Sequence, residues 1–190
     1  MKKIVAMALV FVMACSVTAC GSNNEANHAQ ESQKVEVADA AELLTTVWDA
    51  YAGEEFAAMG GDFENPVDGA PGVFDHTNLE NLDAMLAVPA DGAALIDDAA
   101  SLMHMMNANS FTAGAFHVAN GEDVQAFADL MKESIMNRQW MCGFPETMLI
   151  VSIGGEYVVS AFGLTDVMTN FKTALTETYG AEVLYEESLA

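Results

Sequence analysis

Residues 147–163, TMLIVSIGGEYVVSAFG, constrain the fold more than any other stretch of this chain. Two runs rich in β-branched and aromatic residues flank Gly154-Gly155. A Gly-Gly pair supplies the positive φ of a tight two-residue turn, so the stretch predicts an antiparallel hairpin. Its strands do not alternate apolar with polar. Leu149 and Val151 point to one face while Met148 and Ile150, also apolar, point to the other. A strand apolar on both sides has to be covered on both sides, which puts this hairpin in the centre of a sheet or under two layers.

A second hairpin is predicted in ASLMHMMNANSFTAGAFHV, residues 100–118. Two apolar runs there bracket Asn107-Ala108-Asn109-Ser110, a turn of Asn/Ser chemistry. Helices fill the remaining spaces. Asp39 with Glu42 three residues on forms a capping box, followed by Leu44, Val47, Trp48 and Tyr51 on one face and Gly53 as a stop. Gly60-Gly61, Pro66, Gly69 and Pro71-Gly72 make residues 53–76 read as an irregular loop. Thr77 with Glu80 suggests a second capping box, opening a helix that carries Leu79, Leu82, Met85 and Leu86 and ends by Pro89. Asp91 to Asp98 fits another turn or two of helix. Asn120 caps a helix with Val124, Phe127, Ala128, Met131 and Ile135 in one stripe. Thr165 caps the last, with Val167, Phe171, Ala174 and Leu175 inward and Gly180 at its C-terminal stop. The order is helices, then ββαββα. It predicts an α+β domain over residues 38–190, a four-stranded, largely antiparallel sheet with helices packed on one face.

The amino-terminal stretch assigns an address. Met1-Lys2-Lys3 precedes an apolar run from Ile4 to Val17, the shape of a secretory signal and too short for a stop-transfer helix. Val17-Thr18-Ala19-Cys20 fits the pattern cut by a lipoprotein signal peptidase, with Cys20 as the acylated first residue. Cys15 follows the bulky Met13 and fits less well. The expected divisions are a signal peptide at 1–19, a lipid anchor and disordered spacer at 20–37, and the domain. Two acyl chains anchor a protein stably to a membrane without crossing it.

Processing at Cys20 leaves Lys34, Lys132, Arg138 and Lys172 as the only bases against 28 acids, so the net charge of −22 becomes −24. Such a surface disfavours nucleic acid, whose affinity is built from cations on phosphates. Beyond the signal and anchor only Cys142 remains, which excludes an internal disulfide.

Candidate chemistry is sparse. The Met103-His104-Met105-Met106 cluster offers soft thioether and imidazole ligands suited to Cu(I), with His117 as a further ligand. With Met106 opposite Phe111, however, His104 faces Ala113 and His117 faces Ala100, leaving the histidines about 13 Å apart. Methionine as a filler of core gaps is the competing reading. Asp62, Glu64 and Asp68 form an oxygen-rich loop that could hold calcium, although the EF-hand spacing fails. Trp140, Cys142 and Phe144 in QWMCGFPE make a candidate partner-docking loop. Cys142 could act as a nucleophile only beside a base, and burial is the plainer reading. His28 lies in the spacer. Serine-hydrolase elbows, zinc-protease helices, phosphate loops and dinucleotide fingerprints are absent, so neither an enzyme nor a cofactor is expected.

Ala115-Phe116-His117-Val118, Gly155-Glu156-Tyr157-Val158 and the acylation signal together resemble a family of small bacterial lipoproteins known only as a domain of unknown function, DUF 4358. The resemblance spans roughly residues 79–180 and rests on strand signals. It implies an envelope lipoprotein without an assigned activity. The expectation is a binding or accessory module on the extracytoplasmic face of a cell membrane, tethered through its N-terminal lipid. Its partner would be an envelope protein, peptide or glycan; calcium or copper binding is the alternative.

Overall fold

The computed structural model describes residues 36–141 and 143–189. Cys15, Cys20, His28, the signal peptide, nearly all of the spacer and Cys142 lie outside the described residues. In chain order the first elements are α1 (Ala40–Asp49), β1 (Ala58–Gly61), β2 (Pro66–Asp68), β3 (Gly72–Val73), α2 (Leu79–Leu86) and α3 (Ala90–Ala93). Then follow β4 (Ile96–His104), β5 (Phe111–Val118), α4 (Val124–Met136), β6 (Thr147–Ile153), β7 (Tyr157–Gly163), α5 (Thr165–Tyr179) and β8 (Glu182–Ser188).

All strands join one antiparallel sheet of order β2-β1-β4-β5-β7-β6-β8, with β3 paired to β4 beside β1. The class is α+β, as expected, but the four-stranded sheet is corrected to eight strands. The four additional strands lack the signals that marked the others. β1, β2 and β3 are two to four residues long and sit in the Gly/Pro-rich stretch read as loop. Glycine is required there: a Cβ on Gly60 would lie 2.3 Å from the backbone nitrogen of Gly72. β8 is polar and half exposed because it forms an edge.

The central hairpin is where its sequence placed it. Every residue of β7 is buried, and β6 is buried from Met148 onward. Leu149, Val151, Val159 and Ala161 pack with α1 and α5 on one face. Met148, Ile150, Val158 and Phe162 pack with α2 and α4 on the other. Helices therefore cover both faces rather than one. Ile153 pairs with Tyr157, so the connection is three residues, Gly154 to Glu156, and not two; both glycines do take positive φ, 63° and 76°.

The small side chains of Ala100, Ala113 and Ala115 let α1 lie close on β4 and β5 through Leu43, Leu44 and Val47. Its capping box forms as expected: Asp39 Oδ1 accepts the N–H of Glu42 at 2.7 Å. The other caps differ from the sequence reading. Asn78, not Thr77, caps α2 by accepting the N–H of Asn81. Thr77 instead bonds Asp75. Thr165 is the first residue of α5 rather than its cap, and a distant carboxylate does the capping. Glu146 Oε2 accepts the Thr165 N–H at 3.0 Å and its hydroxyl at 2.8 Å, which hold that carboxyl below its usual range. Asp91 to Asp98, read as helix, instead supplies the short α3 and the start of β4.

Basic residues fasten the β8 edge from both faces. Lys132 of α4 pairs with Glu187 at 2.7 Å, and Lys172 of α5 pairs with Glu186 at 2.6 Å. Tyr185 adds a hydrogen bond to Asp129 and lies under the Lys132 ammonium. Among the described residues no helix is long and apolar enough to cross a membrane.

Candidate functional site

Three segments far apart in sequence meet at the end of the sheet where β4 stops and β5 begins. The pairing of β4 with β5 differs by two residues from the expected one: Ala113 faces Leu102 rather than His104. The difference arises because Met105 to Ser110 form a longer connection, closed by a 3₁₀ turn over Ala108–Ser110. Met105 and Met106 are thereby released from the ladder and become exposed. Asn109 in this turn donates from Nδ2 to the carbonyls of Met141 (2.8 Å) and Gly143 (3.1 Å), fastening the α4–β6 loop to the hairpin end. Gly143 has φ 136°, a conformation that a side chain would strain.

Arg138 fixes the other end of that loop. It donates to Asp83 Oδ1 at 3.3 Å and to the Ala84 carbonyl at 2.8 Å, and its guanidinium lies over Trp140. Trp140 in turn packs on Phe162, ring centres 4.8 Å apart. Between α2, β4 and the loop lies a cleft of about 400 Å³. Met59, Met85, Met103, Met105 and Met141 line it with Trp140 and Phe63. The wall is mostly thioether and aromatic, a surface whose unbranched side chains can re-pack around ligands of different shape. Two of its lining residues are largely exposed: Met141 at 79% and Phe63 at 67%.

Of the expected docking loop, Trp140 is half buried at the cleft, Phe144 projects to solvent, and Cys142 lies outside the described residues. Met59, Met85 and Phe63 were missed by sequence reasoning. They come from β1, α2 and a turn, and only the tertiary fold gathers them.

The histidines are used locally. His104 stacks on Phe56, ring centres 5.2 Å apart, and its Nδ1 accepts the N–H groups of Met106 and Asn107. Phe56 packs into the core under α1 and α5, and His104 also lines the methionine cleft with Met103 and Met105. His117 faces Asp98 at the far end of the hairpin and pairs with Asp97, the extra residue of a bulge in β4.

The acidic loop is organised around Asp62 rather than open. Asp62 is only 4% exposed. Its Oδ1 accepts the N–H groups of Glu64 (2.9 Å) and Asn65 (2.7 Å), and its Oδ2 accepts that of Asp75 (3.2 Å). Those bonds occupy the oxygens that a cation would need, while Glu64 and Asp68 point to solvent. Among the described residues no three His, Cys, Asp or Glu side chains converge on a metal position.

Burial alone would raise the Asp62 pKa, but the backbone donors of Asn65, Asp75 and Glu64 outweigh it and hold the carboxyl below its usual range. A pKa lowered by folding stabilises fully above the unfolded value of about 3.9 and is lost as pH falls through the folded one. Asp62→Asn should therefore cost about 1–3 kcal/mol at pH 7 in denaturant titrations, and the gap to wild type should narrow as pH falls through the lowered folded value. A gap that stays the same from pH 7 into acid would show that Asp62 does not act through its charge.

No family model, no curated protein and no solved structure matches the chain in comparisons with known proteins.

Proposed function

We propose that this chain is a lipoprotein, acylated at Cys20 and held on the extracytoplasmic face of a cell membrane, whose methionine-lined cleft docks an apolar peptide segment of an envelope protein. The observation that carries the docking is the cleft itself, where Met59, Met85, Met103, Met105 and Met141 surround about 400 Å³ beside an exposed Phe63. Exposed apolar side chains gathered at a cleft mark interaction sites on folded domains. Amphipathic helices laying an apolar face into such a groove are a recurrent mode of recognition. The address is supported by Val17-Thr18-Ala19-Cys20 after the basic head and apolar run. The resemblance to DUF 4358 lipoproteins supports that address and supplies no activity. The role assigned is binding rather than turnover.

The tether is checked by fractionation: wild type should incorporate labelled palmitate and sediment with membranes, and Cys20→Ala should do neither. A Cys20→Ala chain that stays with the membrane would remove the lipid from the account. For the cleft, Trp48→Phe leaves Trp140 as the sole tryptophan and its emission as the readout. Titration with an uncharged amphipathic Leu/Phe-rich peptide should shift that emission to the blue and saturate. Met141→Glu should weaken the binding about tenfold or more, as loss of an apolar anchor does. Unsaturable binding, or equal binding by the Met141→Glu chain, would overturn the docking reading.

A further inference from the structure

The pairing of β1 with β4 sets three methionines side by side in the cleft. Met59 of β1 stands directly opposite Met103 of β4. Opposed residues of an antiparallel pair have Cα atoms about 4.5–5.5 Å apart and side chains on the same face. The ladder runs on past His104, where the Met105 N–H donates to the Ala57 carbonyl at 2.8 Å. Met105 therefore follows Met103 two residues along the strand line, about 7 Å away on the same face. All three line the cleft.

Their setting differs from that of methionines used as packing. Met131, Met148 and Met168 are 0%, 0% and 3% exposed and lie within the two cores. In the cleft, Met103 is 6% exposed, Met59 is half-buried and Met105 is 43% exposed. A small solute thus has a path from water to the innermost sulfur. Each thioether ends a side chain of three rotatable bonds, which lets the three sulfurs turn toward one point.

Harder donors are missing or committed. Among the described residues that line the cleft, none is an aspartate or a glutamate. His104 lines it, but its Nδ1 accepts the N–H groups of Met106 and Asn107. That leaves the proton of the neutral ring on Nε2 and no free lone pair for a metal. The one guanidinium there, of Arg138, is paired with Asp83. Thioethers without carboxylates suit a soft monovalent ion and disfavour calcium, magnesium and manganese. Trp140 lines the same cleft, and an aromatic face attracts a cation.

We infer that Met59, Met103 and Met105 form a binding site for copper(I), held by their three sulfurs. Neither His104 nor His117 belongs to it. The net charge of −22 favours the approach of cations to the protein as a whole. The site does not rest on the peptide docking proposed for the same cleft, because its ligands and its readout concern the metal alone.

The test is an anaerobic titration of the full chain with the acetonitrile complex of Cu(I), against a Cu(I) chelator of known affinity. Cys15→Ser, Cys20→Ser and Cys142→Ser leave thioethers as the only sulfur donors, and Trp48→Phe leaves Trp140 as the reporter. One equivalent should bind and quench the Trp140 emission, and Ca²⁺ and Zn²⁺ should leave it unchanged. Met59→Leu and Met105→Leu conserve volume, and each should lose at least about tenfold in Cu(I) affinity. Met105 is exposed, so that variant keeps the fold. The control pair Met106→Leu/Met136→Leu, exposed and outside the cleft lining, should bind as the parent does. Absence of saturable Cu(I) binding would overturn the inference. So would equal losses in the cleft and control variants, which denote scattered thioether binding, and so would equal affinity for Zn²⁺.

Discussion

Two-sided burial of the central strands is the constraint on which the rest of this structure depends. β5, β7 and β6 carry large or closely fitted apolar side chains on both faces, so each face has to be covered for any of them to leave water. Each fully buried Val, Leu, Ile or Phe contributes about 1.5–3 kcal/mol relative to exposure. α1 and α5 serve one face and α2 to α4 the other. Remove either layer and the sheet becomes an apolar surface rather than a core. The alanines of β4 and β5 follow from the same demand, since they set how closely α1 can approach.

Covering both faces decides where anything else can bind. The edges are short or charged: β2 presents Pro66 and Asp68, and β8 presents Glu182, Glu186 and Glu187 with two of its acids held by Lys132 and Lys172. These devices discourage pairing with another strand. What remains are the two ends of the sheet. One end gathers methionines around an apolar cleft, and the other holds a cavity lined by Glu36, Glu42, Glu156 and Tyr157.

The sequence was most legible where local pattern and tertiary environment agreed. TMLIVSI-GG-EYVVSAF was readable because a doubly apolar strand has few alternatives, and Asp39 with Glu42 was readable because a capping box is local. Strands β1 to β3 were hidden because glycines chosen for close backbone approach also look like loop residues. β8 was hidden because an edge strand held by ion pairs needs no apolar alternation. The cap on α5 comes from Glu146, 19 residues away, and no local rule announces it. The loop carrying Trp140 stood out in the sequence, but the cleft that Trp140 lines also takes Met59 and Met85, whose neighbours in sequence give no hint of it. The acidic loop was seen as a cluster, while the use of Asp62 as its organiser depended on backbone donors from Glu64, Asn65 and Asp75.

Native-state amide hydrogen exchange tests the two-sided core most directly. The amides of Val158 to Ala161 in β7 and of Ala113 to Ala115 in β5 should exchange only through global unfolding, with the highest and mutually equal protection. Those of Val67 and Asp68 in β2 should exchange through local opening at much lower free energy. If the β7 amides instead exchanged as readily as those of β2, the sheet would not be clamped between two helical layers, and the central claim would be wrong.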